Sequence, residues 1–395
     1  MRISLEKITR KSREWSSQHY RLLPVSTCKE YAVNKNVTYT VLKEGEKALV
    51  TPVRYVNEPI REDVMGYLPE RYFCLLKDVE IIGASNVIIG RDSFIYDLLA
   101  NKKETYNITD IGLFRMWNSP VQLGKKYIPC YHAEGEKIEK GICLVGNFSG
   151  NYYHYIYEIL VKWYLVDKMN IPAEVPVIVD ASAQRIPQFA ELLSFFSGGR
   201  DVIYIERGEL RRVKELYYPS MVNFIPPNLK KMEYLRTEDI VFDLDAISYL
   251  RTHFLSYMGA SGNFQQDAPK KFFISRKSTK WRQYNEDEVI KVVESKGYEV
   301  VYPETMTVRE QFALFNNAKE IVAASGAALS NIICCKPGTK VLVLVSVRLD
   351  GAIFSTIAKT LGIDMRYMVG AITNYNNVQS DFKIDCEQLK EVLKG

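Results

Sequence analysis

The sequence has few of the features that would assign a function at once. It contains no run of about 18 apolar residues, so no transmembrane helix is expected. Its first residues also lack the apolar core of a signal peptide. Formal net charge is only +5, and no stripe of Lys and Arg interleaved with aromatic residues stands out, so nucleic acid is not an expected partner.

Cysteine and histidine are scarce. Seven cysteines in 395 residues do not form a disulfide framework, and the absence of CxxC pairs and His/Cys clusters argues against a structural zinc site. One Asp-x-Asp triplet, Asp243-Leu244-Asp245, resembles a metal motif. It precedes a predicted helix, where Asp is a favoured N-cap, so we expect no metal there.

The N-terminal stretch Arg2–Leu23 is the one locally basic region, with six Lys or Arg side chains. It fits a basic amphipathic helix lying on an anionic membrane surface, which would give a peripheral membrane contact. It fits a solvated helix or arm equally well.

The most informative part of the chain runs from Phe272 to Val345, where short apolar runs alternate with amphipathic helical patterns. Predicted strands are Phe272–Ile274, Tyr298–Val301, Glu320–Ala324 and Val341–Val345, and a helix is predicted over Val308–Asn317. This alternation predicts a parallel, doubly wound sheet, in which ligands bind at the carboxyl ends of the strands. Arg276 and Gly326 follow two of these strands, which predicts a site for a nucleotide diphosphate.

The first half of the chain is more varied. Residues 1–30 read as a charged helical lead-in, and residues 31–143 as a small meandering sheet. The strand pattern of Gly141–Gly146, a helix over Tyr152–Met169 and further strands to Tyr218 predict a second α/β unit. Helix Asp245–Tyr257 and the polar stretch Gly259–Pro269 read as a linker. The length suits two domains.

His154 and Glu158 are the best candidates for a catalytic base. On a helix, positions i and i+4 lie on one face, and a carboxylate beside an imidazole orients it. Either of the two could be the base, or Glu158 could instead pair with Lys162. Asp180, at the end of a predicted strand, is a further candidate for an acceptor or base role.

Several motifs, taken in order, resemble glycosyltransferase family 61. They are Gly146–Leu165 with its Asn-Tyr-x-His stretch, Leu216–Ser220, Ile274-Ser275-Arg276, Asn285-Glu286, Gln311, Phe315, Gly326-Ala327, Asn331 and Pro337-Gly338. The resemblance covers roughly residues 75–345. It implies a GT-B architecture: two Rossmann-like domains with a cleft between them, here with a β-rich N-terminal portion. The expected domains are 1–140, 141–262 (acceptor side), 263–380 (donor side) and a C-terminal helix, 381–395.

The expected donor site centres on Arg276, because a strand-end guanidinium offers forked donors to phosphate. Many family members carry His at the position of Ser325. The serine hydroxyl can bind phosphate, but unlike His it cannot act as a cation. Asn331 either binds donor or caps a turn. The full donor set is Arg276, Lys277, Arg282, Glu304, Gln311, Ser325, Gly326, Ala327 and Asn331. Asn151, Tyr152, Tyr153 and Asp180 are the acceptor candidates, although the two tyrosines also fit a core role.

The predicted function is an inverting, metal-independent glycosyltransferase without a cofactor. It would move a sugar from a nucleotide-sugar donor, expected to be UDP-linked, to a growing surface polysaccharide or lipid-linked glycan. The missing anchor favours a bacterial, cytoplasmic enzyme, at the inner face of the membrane if the basic stretch binds there. Two alternatives stay open. One is a catalytically silent glycan- or nucleotide-binding partner of a polysaccharide-assembly complex, and the other is an enzyme such as an epimerase.

Overall fold

The protein is a mixed α/β structure, as the sequence predicts. The computed structural model describes residues 20–97, 127–131, 136–225, 236–259, 268–277, 282–348, 353–373 and 380–394. Strands in these residues form a ten-stranded mixed sheet, a five-stranded parallel sheet and two short hairpins. No helix among them is both long enough and apolar enough to cross a bilayer.

The first twelve strands in chain order are β1 Tyr20–Ser26, β2 Tyr39–Lys43, β3 Glu46–Val50, β4 Val64–Leu68, β5 Arg71–Ile82, β6 Ile88–Ile89, β7 Phe94–Ile95, β8 Tyr127–Tyr131, β9 Lys137–Cys143, β10 Val177–Asp180, β11 Val202–Ile205 and β12 Leu210–Pro219. Strands β3 and β4 pair with each other, and the other ten form the large sheet, with order β11-β10-β9-β12-β5-β6-β7-β1-β8 and β2 also paired to β5. Strands β9, β10 and β11 are parallel, and β5 pairs with β12 in antiparallel fashion.

The five-stranded sheet is entirely parallel, with order β14-β13-β15-β16-β17. Its strands are β13 Lys271–Ile274, β14 Glu299–Val301, β15 Glu320–Ala324, β16 Lys340–Val345 and β17 Asp364–Val369. Alternate residues enter different hydrophobic clusters, Phe272 and Ile274 on one face and Phe273 on the other. Both faces are therefore covered, as in a doubly wound sheet. A last hairpin pairs β18 Ala371–Ile372 with β19 Phe382–Lys383.

The helices cover these sheets. They are α1 Cys28–Lys35, α2 (residues 152–166), α3 Ser182–Arg185, α4 Pro187–Ser197, α5 Leu244–Gly259, α6 Glu286–Ser295, α7 Val308–Asn317, α8 Ser355–Thr360 and α9 Cys386–Val392. Short 3₁₀ helices lie at Thr237–Asp239, Pro303–Thr305 and Ala327–Cys334.

Three predictions for the first half of the chain differ from the structure. Residues 20–26 form β1, paired with β8 over five residues, instead of a helical lead-in; residues 1–19, most of the basic stretch, lie outside the described residues. The predicted meander is not a separate sheet, because the long strand β5 joins it to β12. The domain boundary expected near residue 140 consequently falls inside β9.

Helix α5, predicted as part of a linker, lies in the largest hydrophobic core. Its Phe254 stacks on Phe312 of α7 with ring centroids 4.5 Å apart. Residues 260–267 of the predicted linker lie outside the described residues. The same core contains α2, α4 and one face of the five-stranded sheet, so apolar packing joins the two sheets.

Candidate functional site

The strand order of the five-stranded sheet identifies where a ligand would bind. In chain order the strands lie 2-1-3-4-5, so the topology reverses between the first strand, β13, and the third, β15. Open α/β sheets bind ligands in the crevice beyond the carboxyl ends of the strands at such a switch point. Ser275-Arg276 follows β13, and Ser325-Gly326 follows β15. The two corners identified in the sequence thus flank the switch point.

The Arg276 side chain bridges these two corners. Its Nη1 donates to the carbonyl oxygen of Ser325 at 2.5 Å. The side chain of Glu286, in the first turn of α6, fixes the turn after β13: it accepts from Arg276 N at 3.0 Å and from Ser275 Oγ at 2.5 Å. Burial lowers the pKa of Arg276, although the guanidinium stays charged at neutral pH.

A second arginine, Arg282, lies beside Arg276. Burial and the repulsion from Arg276 lower the pKa of Arg282 to about 10. Its backbone has a φ of 54°, in the left-handed region that non-glycine residues rarely adopt. The C-terminal segment supports this conformation, because Asp381 accepts from the Gln283 backbone N–H at 2.7 Å.

Both arginines line a cavity of about 190 Å³. The cavity wall carries three basic and two acidic side chains, a formal balance of +1. Lys277 belongs to this set, but its Nζ pairs with Asp287 at 2.8 Å and both side chains are exposed. Because Arg276 and Arg282 repel each other, an anion between them would relieve unfavourable charge. The geometry therefore suits a diphosphate.

Gly326 allows Arg276 to approach the second corner. A Cβ atom built on Gly326 would lie 2.6 Å from Arg276 Nη1, too close for a carbon atom, so the guanidinium would have to shift. Ser325, Gly326 and Ala327 are half-buried and remain accessible at this end of the sheet. The small residues therefore leave room for the guanidinium and for close approach of a ligand to the backbone.

Helix α2 carries the candidate base and has an unusual backbone. It is α-helical over Tyr152–His154, π-helical over Tyr155–Ile159, 3₁₀ over Leu160–Lys162 and α-helical again over Trp163–Val166. Single π turns inside helices are rare and occur frequently at functional sites. The plain helix predicted for residues 152–169 is therefore shorter and contains a π turn.

His154 and Glu158 contact each other across this π turn, with Nδ1 hydrogen-bonded to Oε1. Their side chains are 25% and 20% exposed, so both are reachable from solvent. The Phe148 ring packs 5.1 Å from the imidazole, centroid to centroid. With the carboxylate accepting from Nδ1–H, Nε2 is the nitrogen that can take up a proton.

Asn223 supports the π turn, although no sequence motif indicates this residue. Its Nδ2 donates to the Tyr157 carbonyl oxygen at 2.8 Å, and its Oδ1 accepts from Asp243 N at 2.9 Å. The π turn shifts the helix hydrogen bonds by one residue, and this carbonyl bonds to the Asn223 side chain. Nothing in the local sequence indicates such a contact, because Asn223 lies after β12, 66 residues from Tyr157.

Helix α2 and Arg276 both contact the segment Ser325–Cys334, which consists of the corner after β15 and the 3₁₀ helix Ala327–Cys334. Tyr157 Oη donates to the Ser330 carbonyl oxygen at 2.8 Å, and Tyr152 Oη donates to Asn331 Oδ1 at 2.8 Å. Arg276 contacts Ser325, two residues before this helix. Helix α2, which carries the candidate base, and the arginine corner therefore contact neighbouring residues of one short stretch of chain.

Six of the nine predicted donor residues do not line the Arg276 cavity: Glu304, Gln311, Ser325, Gly326, Ala327 and Asn331. Ser325, Gly326 and Ala327 lie at the neighbouring corner after β15. Gln311 and Asn331 are buried, and Asn331 Nδ2 donates to Gln311 Oε1 at 2.8 Å. Gln311 Nε2 in turn donates to the Pro303 carbonyl oxygen at 2.8 Å. Their amides link α2 to α7, a structural role. Glu304 is exposed on the 3₁₀ helix Pro303–Thr305.

Asp180 is buried, and backbone groups surround its carboxylate. It accepts from Gly146 N at 3.2 Å and also from Ala84 N. Burial raises the pKa of Asp180 to about 6, and the same burial lowers the pKa of the neighbouring Lys162. Lys162 Nζ donates to the Val145 carbonyl oxygen at 3.3 Å, so the predicted alternative link to Glu158 gives way to this contact. Asp180 thus holds together the loops after β5 and β9.

Two acceptor candidates also have clear local roles. Asn151 is the N-cap of α2, with Oδ1 accepting from Tyr153 N at 3.0 Å, and it is exposed. The Tyr153 ring is buried between the His154 and Phe354 rings, at centroid distances of 5.3 and 5.5 Å. Of the acceptor set, Asn151 is the one that solvent reaches freely.

The Asp243-x-Asp245 triplet is part of an ion network. Asp243 is buried and accepts from Ala246 N at 3.2 Å, the N-cap role expected of it. Its carboxylate also lies 3.1 Å from Arg71 Nε and 3.2 Å from Lys43 Nζ. Among the described residues, no group of three or more His, Cys, Asp or Glu side chains is arranged to hold a metal ion.

The α/β fold thus carries an arginine pair at a strand end of the parallel sheet and a His–Glu pair on helix α2. Residues 152–342 match the family model described as Glycosyltransferase 61, which supports that family and identifies the protein as a glycosyltransferase. The matched segment begins with α2 and ends within β16, so it contains His154, Glu158, Arg276 and Gly326. A search of curated proteins finds no match to the chain.

Proposed function

We propose that the protein is an inverting, metal-independent glycosyltransferase with a GT-B arrangement of its two α/β units. The observation that carries the proposal is the arginine pair at the switch point, in the same matched segment as the His154–Glu158 pair. The donor is a nucleotide sugar, which we propose is UDP-linked. The acceptor is a growing surface polysaccharide or lipid-linked glycan at the inner face of a bacterial membrane.

The leaving group is the first requirement of the reaction. As the bond between the anomeric carbon and the diphosphate oxygen breaks, its electron pair and negative charge move to the diphosphate. Arg276 and Arg282 provide two fixed positive charges where this charge develops. Groups preorganised in this way stabilise the transition state without rearranging during the reaction. In this proposal the arginines perform the task that a divalent ion performs in metal-dependent enzymes.

The nucleophile is the second requirement. In the proposed step, His154 Nε2 accepts the proton of the acceptor hydroxyl as that oxygen attacks the anomeric carbon. Glu158 holds Nδ1–H and stabilises the imidazolium that forms. The attack comes from the face opposite the diphosphate, so one displacement inverts the anomeric configuration. Asn223 and Asn151 position this pair through the π turn and the N-cap of α2.

A thermal-shift panel of nucleotides and nucleotide sugars, with EDTA or Mn²⁺, tests the donor site. A ligand present at 100 times its Kd raises the free energy of unfolding by about 2.7 kcal/mol. We expect UDP or a UDP-sugar to stabilise the protein equally in EDTA, and Arg276→Ala to abolish the shift. Arg366→Gln is a matched control, because Arg366 lies on β17 and pairs with Asp364 at 2.7 Å.

Turnover is measured as UDP release in the presence of a glycan acceptor. Release that depends on the acceptor supports a transferase, and the anomeric configuration of the product tests inversion. A requirement for Mn²⁺ would contradict metal independence. Stabilisation by another nucleotide would replace UDP but keep the arginine pair as the diphosphate site.

A further inference from the structure

A second cavity is separate from the arginine pocket. It has a volume of about 560 Å³ and lies between the N-terminal strands and the segment after β12. Its wall combines tyrosines with carboxylates: Tyr39, Tyr67, Tyr72, Glu44, Glu70 and Asp97. Most of it is built from residues before 152, outside the segment that matches the family model. The site described above does not account for this cavity.

The polar groups of the wall are held in place. Tyr39 Oη donates to Glu70 Oε1 at 2.5 Å, and Lys29 Nζ contacts the other oxygen of Glu70 at 2.9 Å. Tyr72 Oη donates to Asp97 Oδ2, also at 2.5 Å. A carboxylate offers about four acceptor positions, so Glu70 and Asp97 retain capacity for hydroxyl donors. These are preorganised acceptors around a space of about 560 Å³.

The aromatic groups give the cavity an apolar surface. Tyr39 and Tyr72 stack with ring centroids 4.5 Å apart, and Tyr67 is 58% exposed at the rim. Sugar rings carry apolar C–H faces and hydroxyl edges, so they match a wall of aromatic faces and hydrogen-bond acceptors. Three carboxylates against one lysine give a formal charge of −2, which repels uronic acids and phosphorylated sugars.

The cavity is also joined to the helix that carries the base. Asn223 lines the cavity, and its Nδ2 donates to the carbonyl oxygen of Tyr157 at 2.8 Å. Tyr157 is the residue before Glu158 in the π turn. A ligand in the cavity therefore rests against the support of the His154–Glu158 pair.

We propose that this cavity is a second glycan subsite, which binds a neutral stretch of the acceptor chain away from the reacting sugar. The assignment to an acceptor rests on the proposed function. The binding site itself rests on the cavity wall alone. Its chemical class is a neutral oligosaccharide, recognised by tyrosine faces and by carboxylates that accept from sugar hydroxyls.

The test is direct binding, without donor, of five neutral hexasaccharides (cellohexaose, xylohexaose, chitohexaose, mannohexaose and maltohexaose) and of acidic hexagalacturonate. Affinities come from calorimetry, and contacts from saturation-transfer NMR. We expect at least one neutral hexasaccharide to bind, and more tightly than hexagalacturonate. Tyr67→Ala should weaken that binding by about tenfold. Met65→Ala, on the same strand and 52% exposed but outside the cavity wall, should leave it unchanged.

Two results would overturn the subsite. One is no binding by any neutral hexasaccharide, and the other is equal affinity in the wild type and Tyr67→Ala. The UDP thermal shift is recorded on the same samples. Loss of glycan binding with an intact UDP shift rejects the subsite alone, whereas glycan binding without any nucleotide shift rejects the proposed donor site alone.

Discussion

Gly326 and Arg276 are in such close contact that a single methyl group would separate them. The Cβ of an alanine at position 326 would lie 2.6 Å from Arg276 Nη1. The backbone at Gly326 is extended, with φ −175°, so an alanine would meet no conformational strain there. The need for glycine at this corner therefore comes from the guanidinium.

Gly326→Ala should weaken UDP binding nearly as much as Arg276→Ala does, because the new methyl group displaces Nη1 from the Ser325 carbonyl. We expect at least about a tenfold rise in Kd, which is about 1.4 kcal/mol. Calorimetric titration with UDP measures it. Gly259→Ala is the control, since a Cβ at Gly259 meets nothing within 4 Å. Equal Kd values for Gly326→Ala and Gly259→Ala would show that the Gly326–Arg276 contact does not matter for donor binding.

His154→Ala should lower kcat by about 10²–10⁴, because general-base catalysis contributes on that scale. Donor affinity should change little, since the imidazole lies on α2 and not in the arginine cavity. Glu158→Gln should lower kcat by less if Glu158 only orients the imidazole. Initial rates of UDP release with acceptor give these values.

The control for this pair is His253→Gln. His253 lies on α5, where its Nδ1 is 2.8 Å from the Tyr249 carbonyl oxygen. The activity of the His253→Gln variant should match that of the wild type when the same fraction of each protein is folded. A larger loss in Glu158→Gln than in His154→Ala would instead make the carboxylate the base.

Asp180 should make stability depend on pH in an unusual direction. Its pKa in the folded protein is about 6, above the ordinary Asp value, because the carboxyl is buried. Between pH 4 and 6 the native state therefore binds more protons at this group than the unfolded state. Its contribution to the free energy of unfolding falls as pH rises through that window, by an amount on the order of 1–3 kcal/mol.

Denaturant unfolding of wild type and Asp180→Asn at pH 4, 5, 6 and 7 measures this effect. Asparagine does not titrate, so the stability of the wild type relative to the variant should decline from pH 4 to 6. The variant should also be less stable at every pH, because its amide places N–H₂ against a backbone N–H. A difference independent of pH would contradict the raised pKa.

The buried amide network between α2 and α7 should contribute measurably to the free energy of unfolding. Asn331→Ala leaves the Tyr152 hydroxyl and the Gln311 amide without their partner in a buried position. We expect a loss of about 2–4 kcal/mol in the free energy of unfolding. A double-mutant cycle with Tyr152→Phe isolates the contribution of the Tyr152–Asn331 bond. Additive losses would show that the two groups are energetically independent.

Most of the five-stranded sheet could be predicted from the sequence. Helix Val308–Asn317 and strand Glu320–Ala324 were predicted with the bounds that the structure shows. Thr307 and Glu310 form a capping box that marks the start of the helix, and continuous apolar residues mark the strand. Local chemistry is strong enough at these positions to specify the element.

Other elements depend on partners distant in the chain. The strand over residues 20–26 forms because β8 pairs with it, although its neighbouring charges suggested a helix. The π turn of α2 bonds to Asn223, 66 residues away from Tyr157. Neither partner leaves a signal in the local pattern, because hydrogen bonds between distant segments have no period along the sequence.

The functional residues also divide into those specified by local sequence and those that depend on distant parts of the chain. Helix and strand periodicities are local, so the sequence alone predicts that His154 and Glu158 share a helix face and that Arg276 and Gly326 follow strands of a parallel sheet. The burial of Gln311, Asn331 and Asp180 in hydrogen-bond networks, and the position of Arg282 beside Arg276, follow from tertiary packing. Burial and charge proximity depend on how the sheets and helices pack, and this packing also formed the tyrosine-lined cavity, which no motif predicted.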